Sequence, residues 1–234
     1  MQVITNEKKL KWNKRIGQYT SFISLVVLGV GMYLSIKNPE LYWYSFASLI
    51  VGFVLSQVGI YYGNRWGRSP TIDERITTAL KGLTKDHTLY HYTGPVSHLL
   101  VGPSGVWVIE PYYQKSTIEY EGGRFRQKGG GFLLGYLKVF AQEGLGRPEL
   151  EIRADHSAVW SWLKDKGITL ESPDMINVAL GFFDPNVKLI ANDCPYPMVK
   201  MDNLKTAIRQ YKGVTAPAEV IAAIKAGLPT ESVQ

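Results

Sequence analysis

Two runs of this chain contain no Asp, Glu, Lys or Arg: Ile16 to Ile36 and Leu41 to Asn64. As helices, at ~1.5 Å per residue, each is long enough to cross a ~30 Å hydrocarbon core. The link Lys37-Asn38-Pro39-Glu40 permits only a tight turn, so the runs predict a helical hairpin. After Ser69 the pattern changes to short periodic segments. Ile72, Ile76, Leu80 and Leu83 keep helical spacing, and short strands are predicted around Thr88 to Tyr92, Leu99 to Val101, Val106 to Glu110 and Thr117 to Tyr120. Gly122-Gly123 reads as a hairpin turn into Arg124 to Gln127, and Gly129-Gly130-Gly131 breaks the pattern. Pro148 opens a helix that stops at Gly167, with Ile152, Val159, Trp162 and Leu163 on its apolar stripe. Strands follow at Ile176 to Phe183, Lys188 to Ala191 and Met198 to Lys200, then helices at Asp202 to Tyr211 and Pro217 to Ala226. This order predicts an α/β or α+β domain around a mixed sheet. The expected division is a basic segment and hairpin over 1–68, a domain over 69–229 and a disordered tail over 230–234.

Aromatic residues crowd the ends of the two runs: Trp12 and Tyr19, then Tyr42, Trp43 and Tyr44, then Tyr61, Tyr62 and Trp66. They read as interfacial belts. A cleaved signal peptide is the competing reading of the first run, but no small-x-small cleavage site follows it before the charged turn, so the segment reads as a retained anchor. Location of charge carries the topology. Residues 1–68 hold eight Lys or Arg against two Asp or Glu, whereas the rest of the chain holds eighteen of each. The formal charge of +6 therefore belongs to the anchor, and the domain is neutral. Lys8, Lys9, Lys11, Lys14 and Arg15 precede the first run, and Arg65 and Arg68 follow the second. By the positive-inside rule both termini and the domain lie on the cytoplasmic side of the plasma membrane, with the lipid bilayer as one partner. A neutral domain argues against nucleic acid. The one basic patch is Arg124, Arg126 and Lys128, alternating along a strand; the blander reading is a solvated strand face.

One stretch carries chemistry. Ser97-His98 precedes an apolar strand, Gly102-Pro103-Ser104-Gly105 turns the chain, and Val106 to Ile109 run into Glu110-Pro111-Tyr112. The pattern resembles the nuclease-related domain (NERD) family of the restriction-endonuclease-like PD-(D/E)xK superfamily. There an Asp-His strand is followed by Gly-Pro-x-Gly and by a strand closing on Glu-x-Lys. The resemblance implies that same fold over roughly Thr71 to Tyr211, with Mg²⁺ held by the Asp and Glu, and the Lys polarising the attacking water. His98, Gly102, Pro103, Gly105 and Glu110 match, but Ser97 stands at the Asp position and Tyr112 at the Lys position. Ser97 is a poor Mg²⁺ ligand, and Tyr112 is an uncharged phenol at neutral pH. Lys115, Glu119 or Glu121 could supply relocated groups, although Lys115 has the wrong strand parity. The family also places a Glu on the preceding helix, where this chain has Glu74; equally, Thr71-x-x-Glu74 is a capping box.

His87, His91, His98 and His156 lack metal-ligand spacing, and the single Cys194 excludes an internal disulfide. The expectation is a membrane-anchored, non-catalytic protein with a vestigial site at Glu110, Ser97 and Tyr112. It would need no cofactor and would bind a membrane or membrane-associated protein as a scaffold or accessory subunit. Two alternatives stay open: an Mg²⁺-dependent nuclease with relocated residues, and a membrane-tethered nucleic-acid binder.

Overall fold

The computed structural model describes residues 1–129 and 144–233. Gly130 and Gly131 of the glycine break, and Gln234 of the tail, lie outside the described residues. The chain divides into a helical unit beginning at Lys8 and ending at Ile72, and a sheet-based unit built from Met1–Glu7 and most of the chain after Asp73.

In the helical unit, α1 (Glu7–Lys37) and α2 (Tyr42–Tyr62) are joined by a 3₁₀ turn over Pro39–Leu41, and α2 ends in a π turn over Gly63–Gly67. Both helices are long and apolar enough to cross a membrane. Their apolar windows are only 11% and 17% buried, so these are not core helices of a soluble domain, and they support membrane anchoring. What is buried is small. Gly17, Ser24 and Gly31 on α1 and Ser45, Gly52 and Gly59 on α2 recur every seventh residue and line one seam. Such residues let backbones approach closely, and the Ser24 hydroxyl donates to the Gly52 carbonyl at 2.7 Å.

The second unit is an α/β domain. Its main sheet has the order β1 (Gln2–Thr5), β2 (Thr88–His91), β3 (His98–Gly102), β4 (Gly105–Tyr112), β7 (Ile176–Phe182) and β9 (Met198–Lys200). All of these run parallel except β3, which reverses between β2 and β4. The strands β2, β3 and β7 are buried along their whole length, as expected when both faces are covered. On one face Leu99, Val101, Val106, Val108, Val178, Leu180 and Phe182 form the core with Ile152, Val159 and Leu163 of α4 (Pro148–Asp165) and Ile221 and Ile224 of α6 (Ala218–Gly227). On the other, Thr77 of α3 (Ile72–Ala79) meets His91, and Tyr211, which follows α5 (Leu204–Gln210), packs edge-on against Trp107. A smaller sheet of order β6 (Arg124–Lys128), β5 (Thr117–Glu121), β8 (Lys188–Ala191) completes the unit.

The chain ends depart from the sequence expectation. Gln2–Thr5 is read from sequence as part of the N-terminal basic segment, yet it forms β1, paired in parallel with Thr88–His91. Residues of the expected disordered tail lie along the other side of that strand. Thr5 N donates to Ser232 Oγ at 3.0 Å, Val233 N to the Thr5 carbonyl at 3.1 Å, and Glu7 N to the Val233 carbonyl at 2.8 Å. A four-residue strand and a polar tail carry no periodicity of their own; each is ordered by backbone groups of a remote segment.

Candidate functional site

β3 and β4 are antiparallel with Leu99 opposite Val108. The ladder closes at that pair, so Ser97 lies outside it, exposed in the bend before β3, while Glu110 and Tyr112 share one face of β4. These positions lie at the edge where the parallel strands β2, β4 and β7 end, at His91, Tyr112 and Phe182. In open α/β sheets that edge is where ligands bind.

The residue at the Lys position is part of the core. Tyr112 is buried, its ring stacks on Phe182 at 5.3 Å, and its hydroxyl donates to Glu151 Oε2 of α4 at 2.9 Å. Burial, followed by the negative charges of Glu110, Glu151 and Asp155, pushes the phenol far above its ordinary range. It is therefore a neutral donor at neutral pH. The edge gathers carboxylates around a phenol, without the cation that the resemblance implies. Glu151 and Asp155 are missed by sequence reasoning. They flank the apolar stripe of an amphipathic helix as any solvated pair would, and only docking of α4 brings them to β4.

Among the other candidates, Lys115 is exposed in the turn after β4. Glu119 and Glu121 belong to the smaller sheet, where Glu119 pairs with Lys128 and Glu121 with Arg126 at 3.6 Å. Two of the three cations in the basic triplet are thus matched across the ladder by carboxylates, and Arg124 stands opposite Glu121. Glu74 is exposed, whereas Asp73, only 9% exposed, shares the inward face of α3 with Thr77.

The histidines are held by hydroxyls, carbonyls and each other. His91 Nδ1 and His98 Nδ1 lie 2.8 Å apart, and His91 Nε2 lies 3.0 Å from Thr77 Oγ1. For this contact one Nδ1 carries a proton and the other accepts it. Burial holds the His91 imidazole down to about 3. His87 is also lowered, chiefly by burial; its ring bridges Thr84 Oγ1 at 2.8 Å and Ser104 Oγ at 3.0 Å. His156 donates to the Pro173 carbonyl at 2.9 Å. Among the described residues, no group of three or more His, Cys, Asp or Glu is arranged to hold a metal ion. The Cys194 thiol, half-buried, is raised by that burial.

In comparisons with known proteins, no family model, no curated protein and no solved structure matches this chain.

Proposed function

We propose that this chain is a membrane-anchored protein whose cytoplasmic domain has a nuclease-related, restriction-endonuclease-like fold without catalysis, and that it works as a scaffold or accessory subunit for a partner protein at the membrane. The single observation that carries the reading is Tyr112. At the position where the resemblance implies a Lys, it is a neutral phenol stacked on Phe182 and committed to Glu151. Phosphodiester cleavage needs positive charge against the attacking and leaving oxygens, and a serine at the Asp position leaves a metal one carboxylate in place of two. The cytoplasmic orientation rests on the basic flanks Lys8 to Arg15 and Arg65 to Arg68. The neutral domain and the ion pairs at Arg126 and Lys128 favour a protein partner over nucleic acid.

The test uses the full chain purified in mild detergent and incubated with single- and double-stranded DNA and RNA in Mg²⁺ or Mn²⁺. No cleavage is expected, and any nucleic-acid binding should vanish at modest salt. Robust cleavage abolished by Glu110→Ala would replace this reading with the nuclease. Tight, salt-resistant binding lost when Arg124, Arg126 and Lys128 are neutralised together would replace it with the nucleic-acid binder.

A further inference from the structure

Contacts along the hairpin seam define its register. Built onto Gly31, a Cβ would meet Ser48; onto Gly52, Leu28; onto Gly59, Ser21; and onto Gly17, Tyr62. Carried one turn further toward the open end of the hairpin, the same register brings Lys14 and Arg15 level with Arg65, while Arg68 follows the π turn in extended backbone. Helix α1 begins at Glu7 but its charge-free run begins only at Ile16, so more than two turns of basic helix project past the apolar seam. Lys8, Lys14, Arg15 and Arg65 are exposed there.

This end also has a fixed aromatic floor. The Arg65 guanidinium lies over the Tyr61 ring at 5.4 Å and near the Trp66 ring at 5.9 Å, and donates to the Tyr61 hydroxyl at 2.9 Å. The Tyr62 and Trp66 rings pack at 5.1 Å beneath it. A guanidinium so held keeps donors for a phosphate, and Arg suits phosphate because its planar fork can make paired hydrogen bonds. The other end of the hairpin carries only Lys37 and Glu40, which offset one another.

We propose that the collar formed by Lys8, Lys11, Lys14, Arg15, Arg65 and Arg68 is a binding site for the phosphate of anionic phospholipid headgroups. It rests on the hairpin spanning the bilayer, and adds to it a retained lipid of defined charge. A zwitterionic headgroup brings its own ammonium into the collar and is disfavoured, whereas a glycerol-type diester brings none. Basic clusters beside spans select anionic lipid on this ground.

The full chain is reconstituted into nanodiscs of phosphatidylcholine containing a minor fraction of phosphatidylglycerol, and lipids retained on the released protein are counted by native mass spectrometry. Because both faces of a nanodisc are accessible, inverted insertion cannot mimic loss of the site. Phosphatidylglycerol should be enriched above its share of the disc. The triple variant Lys14→Gln, Arg15→Gln, Arg65→Gln should lose at least about fivefold of that enrichment, the factor one well-placed cation supplies near an anionic surface. Lys37→Gln should retain it, and added inorganic phosphate should not displace it. Retention in proportion to disc composition, enrichment that survives the triple variant, equal loss with Lys37→Gln, or displacement by free phosphate would each overturn the proposal. Protein that elutes free of the discs would overturn the spanning hairpin itself, a separate observation from lipid-blind incorporation.

Discussion

Gly102 shows what the Gly-Pro-x-Gly turn is for. A Cβ there would lie 2.5 Å from His87 Cδ2 and 2.9 Å from His87 Cα, and the second contact is with backbone that rotating a side chain cannot relieve. The turn keeps a glycine so that His87 can bridge Thr84 and Ser104. Gly102→Ala should therefore cost about 1–3 kcal/mol, as overpacking does. It should lower the thermal midpoint of the solubilised chain; an unchanged midpoint would show that the two segments are not in contact. His91 gives a pH dependence. Its imidazole titrates near ~6.5 in the unfolded chain and is held at about 3 in the fold, so between these values the unfolded state binds the extra proton. Stability from this residue is complete above ~6.5 and is lost as pH falls toward 3, by about 2 kcal/mol between pH 7 and pH 5. Melting the protein across that range should show the decline, with His87 adding to it, and His91→Gln should flatten the slope. A midpoint that ignores pH in both proteins would contradict a buried neutral His91.

Among the elements, the hairpin is where single residues decide packing. Gly59 meets Ser21 so closely that a Cβ would lie 2.3 Å from its hydroxyl and 3.1 Å from its backbone nitrogen, while Gly29 has nothing within 4 Å. Gly59→Leu should separate the helices and lower the midpoint of the detergent-solubilised protein, whereas Gly29→Leu should leave it nearly unchanged. Equal effects would mean that the seam is elsewhere. The sequence shows small residues in both spans, Gly29 and Gly31 among them, but composition cannot say which line the seam. The seven-residue recurrence of Gly17, Ser24 and Gly31 against Ser45, Gly52 and Gly59 is the sequence signal that separates Gly31 from Gly29.

For the molecule as a whole, the chain's first residues belong to its last domain. A truncation beginning at Ser69 removes β1, uncovers the edge of β2 and leaves Thr230 to Val233 without the strand they line. That protein should be less stable than the full chain and prone to associate through the exposed edge. Size-exclusion and circular-dichroism melts check this: a monomeric truncation as stable as the full chain would show β1 to be dispensable.

The sequence by itself determined whatever depends on neighbours in the chain. The absence of charge over residues 16–36 and 41–64 defines the two helices, since burial in lipid is a property of each residue and sums along a run. Apolar spacing likewise marks α3, α4 and the strands from Thr88 to Phe182, because amphipathic period is local. At the candidate site, Ser97, Glu110 and Tyr112 were readable as positions in a motif, and strand parity placed the last two on one face. Tertiary structure alone decided that Tyr112 donates to Glu151, that Asp73 rather than Glu74 turns inward, that His91 shares a proton with His98, and that Gln2–Thr5 is an edge strand held by the tail. Each of these is a contact between segments far apart in sequence, whose directional hydrogen bonds leave no periodic trace in either partner.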